Sequence, residues 1–241
     1  MNWTNIDKKI KLLNMSIVSS FHDIYPPPKV INRGTIIKAD GESVPYYIEL
    51  GLSKESILEC NKWKDYVTDI IMKLIVDEIN IEDNKDLLQN DIMLEDYHWN
   101  WLSKASKYAT AEYDWFFLKT TDGVQGVCVT FHPKKSVFQS VNIFYIEYLS
   151  SAPWNRHSSL HDRQYKGIAT EIIKQIQYYF IKTHLYNHGF NLHSLFQSQG
   201  FYEHIGMINV PEHNKKHLLF YEMNKENAII FLEGKNAKTR N

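Results

Sequence analysis

Cysteine is scarce in this chain: Cys60 and Cys128 are the 2 thiols in 241 residues. Two cysteines that far apart make no disulfide framework, so a reducing compartment is expected. Cys128 lies in the apolar run "GVCVTF" and reads as a small core residue rather than a nucleophile. A surplus of one charge is missing too. With 27 basic and 28 acidic side chains the net charge is −1, which gives no electrostatic case for nucleic acid, whose binding rests on neutralising phosphates. Long apolar runs are also missing. The best, "DIIMKLIV", is short and contains Lys73, so no bilayer crossing is expected. The stretch "MNWTNIDKKIKLLNM" lacks the apolar centre of a signal peptide. A cytoplasmic protein follows as the expectation, without membrane or nucleic-acid partners. Repeats and low-complexity tracts are absent. A composition of 44% hydrophobic and 23% charged residues suits one large globular domain, or one domain with an extension.

Along the chain, the prolines of "YPPPKVINRG" favour an extended segment. "GTIIKADGESVPYYIEL" gives a hairpin turning at Asp40-Gly41. Ser53 is placed to cap one helix through "KESILECNKWKDYVTDIIMKLIVDEI", where apolar residues recur at helical spacing. "IEDNKDLLQND" is a polar connection or broken helix, and "EDYHWNWLSKASKYA" a further helix rich in aromatics. From Glu112 the pattern changes. Two strands joined at Asp122-Gly123 are followed by "SVNIFYIEYLSS", apolar on both faces and therefore central. A helix, the strand "FNLHS", a short helix and the strand "HLLFYEM" complete a β-β-β-α-β-α-β order, an α/β pattern. Residues 1–90 are expected to form an elaboration packed on a core spanning residues 91–241.

The segment "RQYKGIATEIIKQIQ" joins a bare-backbone loop to an amphipathic helix that buries Ile168, Ile172, Ile173, Ile176 and Phe180. A helix N-terminus carries unpaired N–H groups and the positive end of the dipole, which suits a phosphate or pyrophosphate; an ordinary tight turn would show the same residues.

The surroundings add specificity. Gln164-Tyr165-Lys166-Gly167-Ile168-Ala169 follows a central strand and Pro153, and Phe201-Tyr202-Glu203-His204-Ile205-Gly206-Met207 follows at the right distance. Over roughly residues 112–225 the chain resembles the GNAT superfamily of N-acetyltransferases. Those carry Gln or Arg, two residues, Gly, one residue, then Gly or Ala, and a later FYxxxGF or FYxxxGM. "IEYLSSAPWNR" and "LHSL" point to a bacterial subgroup of unassigned substrate. The segment between Pro153 and Gly167 is longer here than is usual in the family.

The resemblance implies a mixed, mostly antiparallel central sheet whose central strands splay apart, flanked by helices. It implies acetyl-CoA as co-substrate, and direct transfer of the acetyl group in a ternary complex to a primary amine, small-molecule or peptide. The thioester arm would pair along Leu149, Ser150, Ser151 and Ala152. The diphosphate would meet Arg163, Gln164, Tyr165, Lys166, Gly167, Ile168, Ala169 and Thr170. Tyr202 would protonate the departing thiolate, since a phenol near pKa 10 is not far above a thiol near 8.5. Glu147, which alternation sets on the face of Tyr145 and Leu149, is a candidate base. His193 competes with it, and a water chain with no dedicated base stays open. The alternative is a non-catalytic module binding acyl-CoA or a partner on the same fold.

Of the 11 histidines, His184 and His188 stand at a spacing able to bind a metal. No HExxH accompanies them, and His188-Gly189 resembles a helix terminus, so no metal is expected. Trp63, Tyr66, Trp99 and Trp101 either line an acceptor pocket or fill a core.

Overall fold

The Asp40-Gly41 signal becomes a turn between β1 (Lys29–Lys38) and β2 (Ser43–Leu50) in the computed structural model, which describes residues 27–76, 98–158 and 161–234. Gly41 has φ +93°, a conformation that side-chain-bearing residues avoid. Ser53 does cap: its Oγ accepts from the Ser56 N–H at 3.0 Å. The single helix expected after it is divided at Lys62 into α1 (Lys54–Asn61) and α2 (Trp63–Val76). The Lys62 N–H is shared between the carbonyls of Leu58 and Glu59, which tightens the last turn of α1. The bend lets Cys60 and Trp63 both face the core, at 0% and 4% exposure. Asn61 accepts from the Trp101 N–H at 3.1 Å, tying α1 to α3 (Trp101–Lys107). The expected connection over 81–91, the start of the aromatic helix over 95–97, the boundary at residue 90, and Tyr25-Pro26 lie outside the described residues.

The rest follows as β3 (Tyr113–Thr120), β4 (Gly123–Lys135), β5 (Asn142–Ser151), β6 (Tyr165–Lys166), α4 (Ile168–Thr183), β7 (Phe190–Ser194), α5 (Gln199–His204), β8 (Ile208–Asn209), β9 (Leu219–Met223) and α6 (Lys225–Leu232). The expected element order holds, with β6, β8 and α6 added. Among the described residues these strands form one open sheet of 9, in the order β6-β1-β2-β3-β4-β5-β7-β9-β8. Every pairing is antiparallel except β5 with β7. The fold is therefore mixed α/β, a mostly antiparallel sheet flanked by helices, and the β1–β2 hairpin belongs to that sheet through β2–β3.

Both faces of the sheet are covered. On β3, Phe116 and Leu118 join the core under α4 and α6, while Trp115 and Phe117 join the core under α1 and α3. Successive strand residues point to opposite faces, so an unbroken apolar run is what a doubly covered strand requires. Trp63 and Trp101 are part of the second core, settling them as packing residues. Gly126 on β4 has a specific task. A Cβ there would meet Ile168 Cγ2 and Ile172 Cδ1 at 2.6 Å, so its bareness lets the first turn of α4 lie against the sheet.

Candidate active site

β5 loses one of its two partners part-way along its length. It pairs with β4 from Asn142 to Ser151, but with β7 only from Phe144 to Ile146. Beyond Ile146, β7 continues in register with β9 (His193 opposite Phe220, Ser194 opposite Leu219) and leaves β5. The register against β4 slips at the same point, with Val129 opposite Tyr148 but Thr130 opposite Ile146, so Glu147 is a bulged residue. The slip reverses the alternation beyond it. Leu149 packs with the core of Phe144 and Ile146, whereas Tyr148 packs with the opposite one. Glu147 therefore shares no face with Leu149, contrary to expectation, because alternation does not survive a bulge.

The edge of residues 147–151 that β7 leaves borders a cleft of about 230 Å³, lined among others by Leu149, Ser150, Ser151, Arg156, Ala169 and Tyr202. Backbone groups there face away from β4 at alternate residues, on the side from which a strand could be added. Tyr202, on α5, is 8% exposed; its ring packs on Phe201 and Tyr221 at centroid distances of 5.2 and 6.1 Å. Burial, with Cys128 and Tyr145 nearby, raises its phenol well above the ordinary value. The phenol thus stays protonated throughout the neutral range. The expectation of an unperturbed group near 10 changes accordingly.

The loop before α4 is built from the end of β5. Gln125, wholly buried, accepts through Oε1 from Trp154 Nε1 at 2.7 Å and from Asn155 Nδ2 at 3.0 Å. Its carbonyl accepts from the Ala152 N–H at 2.9 Å. Asn155 Oδ1 accepts from the Tyr165 N–H at 3.0 Å, and the Tyr165 hydroxyl donates to Asp122 at 2.5 Å. The Gln164 N–H donates to the Trp154 carbonyl at 2.9 Å, and Lys166 stands in the β1 ladder opposite Ile37. The amides of Gln164 and Tyr165 are thus committed inside the protein. Those of Gly167, Ile168, Ala169 and Thr170 belong to the helix start, where no intrahelical acceptor exists. Gly167 is the N-cap, with φ +78° and no side-chain cap, and a Cβ on it would meet nothing within 4 Å. Ala169 opens on the cleft. Arg163 and Lys166 do not reach it; with Asp40, Asp162, His157 and His161 they line a separate surface cavity of about 600 Å³.

Arg156 is a further functional candidate, one that the motifs do not single out. Its guanidinium donates to the Ser151 carbonyl through Nε at 3.1 Å and to Ser150 Oγ at 3.0 Å, fixing the end of the open strand edge. The signal available was Asn155-Arg156, a polar pair directly after a buried strand, Pro153 and Trp154. Gln125 inside "GVQGVCV" was a similar signal, a polar side chain in an apolar strand.

His193 stands apart from the cleft. Its Nε2 lies 3.1 Å from the His213 carbonyl and its Nδ1 2.9 Å from the Tyr145 hydroxyl. A carbonyl can only accept, so Nε2 carries the hydrogen and Nδ1 accepts from Tyr145. Burial, then Lys215, lowers its pKa, against the opposing pull of the His213 carbonyl. Glu147 is half-buried and makes no hydrogen bond among the described residues. Its surroundings are Tyr113, Tyr145, Tyr148 and Lys107. Nearby, the Lys104 ammonium stands 3.5 Å from the Tyr148 ring centre and 4.6 Å from that of Trp99, which also lines the cleft.

No family model matches the sequence, and no curated protein matches it. Solved structures do. Campylobacter jejuni N-acetyltransferase PseH in complex with acetyl coenzyme A is 13% identical, over 74% of this chain and 99% of that one, with a TM-score of 0.41. FdhC, a nucleotide-linked sugar GNAT, is 13% identical over 80% of this chain and 92% of its own, with a TM-score of 0.42. An uncharacterized protein from Bacillus halodurans is 6% identical over 86% of this chain and 100% of its own, with a TM-score of 0.50. This last likeness is one of fold alone, and GNAT-type N-acetyltransferases are among the solved structures that this chain resembles.

Proposed function

We propose that the protein transfers the acetyl group of acetyl-CoA directly to a primary amine in a ternary complex. The observation that carries this reading is the parting of β5 from β7 after Ile146, which opens a strand edge beside Tyr202 and beside the uncapped start of α4. An extended amide-bearing arm can pair with that edge while a diphosphate meets the helix N-terminus. One ligand satisfies both only if it carries a pantetheine arm on a diphosphate, as acyl-CoA does.

In the proposed chemistry the amine nitrogen attacks the thioester carbon, and the carbonyl oxygen becomes an oxyanion. A backbone N–H of residues 149–151 receives that charge. Collapse re-forms the carbonyl, breaks the carbon–sulfur bond and leaves the electron pair on sulfur. The Tyr202 hydroxyl gives its proton to the thiolate. Burial that raises the phenol also penalises a thiolate formed in the same cleft, so the two pKa values rise together. The amine's proton passes to Glu147 or to water. Arg156 holds Ser150 and Ser151 in place and touches neither reacting atom in this scheme.

Calorimetric titration with acetyl-CoA, followed by CoA-thiol release with a panel of amines, tests the proposal. Saturable binding and amine-dependent release are expected. Absence of binding sinks the proposal. Binding without turnover of any amine moves the protein to the acyl-CoA-binding module.

A further inference from the structure

We propose that Asp114, His132 and His184 form a binding site for one divalent transition-metal ion of the zinc class. The inference is independent of the function proposed above. Asp114 is on β3, His132 near the end of β4, and His184 caps α4, so the fold assembles the group from three separated elements. Their ligand atoms all lie within 4.8 Å of one another, the one such group of three among the described residues.

A second observation points to a ligand. His132 is 9% exposed, and its Nε2 stands 3.1 Å from Asp114 Oδ2, an ion pair only when the imidazole is protonated; both atoms are shut off from solvent and neither makes a hydrogen bond. A buried imidazole and carboxylate at that distance would normally align as donor and acceptor; here neither atom is aimed along a hydrogen bond to the other. Two ligands of one ion are related in this way. At zinc bond lengths near 2.0 Å tetrahedral ligand atoms are about 3.3 Å apart, close to this separation.

His184 brings the second imidazole, with ring centres 4.6 Å apart. The Tyr179 hydroxyl, 3.4 Å from His184 Nε2, borders the site. Asp114 and Tyr179 also wall a cavity of about 590 Å³ beside the group. Two imidazoles and one carboxylate suit zinc or cobalt rather than calcium or magnesium, which prefer all-oxygen shells. The 15 residues from Ala169 to His184 put the group about 22 Å from the cleft by helical rise, so the ion fastens the end of α4 to β3 and β4 and takes no part in acyl transfer. His188, the partner that spacing alone suggested for His184, stands outside the group; the helix has ended before it, at Thr183.

Chelator-stripped full-length protein titrated with cobalt(II), then with competing zinc(II), tests the site. One cobalt per chain with the visible bands of a tetrahedral centre is expected, together with a higher melting temperature on zinc loading. His184→Gln and the near-isosteric Asp114→Asn should each weaken metal binding by about a hundredfold and erase the bands, with the far-ultraviolet spectrum and acetyl-CoA titration unaltered. His188→Gln should change nothing. The proposal is overturned by the absence of saturable binding near one equivalent, or by binding that survives both His184→Gln and Asp114→Asn.

Discussion

The two ends of α4 are closed in opposite ways. At its start Gly167 offers no side-chain cap, a Cβ there would meet nothing, and the first N–H groups lack intrahelical acceptors beside a cleft. At its end the chain is crowded. His184 donates its N–H to Phe180 O, and its ring packs among His132, Tyr179, Phe180 and Tyr186 with Asp114 alongside. A helix carries partial positive charge at its N-terminus and partial negative charge at its C-terminus. An anion at the first end and a cation at the second both complement that dipole. The contrast is between an end left for an incoming ligand and an end whose protein ligands are already gathered.

Gly167→Glu breaks the first half of the contrast hardest. It forces a side chain into a left-handed conformation, costing about 1–2 kcal/mol, and points a carboxylate at the site of an expected diphosphate. Acetyl-CoA affinity should fall on the order of a thousandfold by calorimetry, while cobalt binding at the other end is unchanged. Next in size is Tyr202→Phe, which keeps the packing and removes the proton. It should lower kcat by about a hundredfold and leave the acetyl-CoA dissociation constant within about twofold. The alkaline limb of the wild-type pH profile should not break at an ordinary phenol's pKa, because the Tyr202 value is raised and the protonated form persists upward through that range. A break near pH 10 that Tyr202→Phe abolishes would assign the phenol a solvent-exposed environment instead.

The open end was legible in the sequence and the crowded end was not, for a physical reason. Glycine, a helix period and an FYxxxGM run are local signals, each contained in one short stretch of chain. Asp114, His132 and His184 come from three elements, and strand pairing brings them together; no spacing in the chain announces it. The bulge at Glu147 failed for a related reason. It is a mismatch between two strands, Val129 opposite Tyr148 and Thr130 opposite Ile146, and cannot be seen on one strand alone. β6 and β8, of 2 residues each, are too short to show a period, and they are strands only because β1 and β9 receive them.

Smaller effects sharpen the comparison by asking how α4 is held. Gly126→Ala places a methyl 2.6 Å from Ile168 Cγ2 and Ile172 Cδ1. Overpacking of that kind costs about 1–3 kcal/mol, and for a chain of this size each kcal/mol lowers Tm by about 2–4 °C. Because the strain falls on the first turn, acetyl-CoA affinity should drop along with stability, while cobalt binding at the far end holds. Uniform loss at both ends would mean that the helix moves as one rigid piece.

The smallest effect concerns His193, beside the open edge but outside the cleft. Its folded-state pKa lies below the unfolded value of 6.5 because it is buried and Lys215 and Lys134 face it. The unfolded chain therefore takes up the proton more readily. The contribution of His193 to stability is complete above about pH 6.5 and is lost as pH falls through the lower folded value. His193→Gln keeps a donor for the His213 carbonyl and an acceptor for Tyr145 but cannot titrate. Its melting temperature should fall less steeply than the wild type's on acidification below pH 6.5, and its kcat near neutrality should stay within about twofold, since a side chain with both nitrogens engaged is no free base. A large loss of kcat with an unchanged melting profile would give His193 the proton from the amine and displace Glu147 from that role.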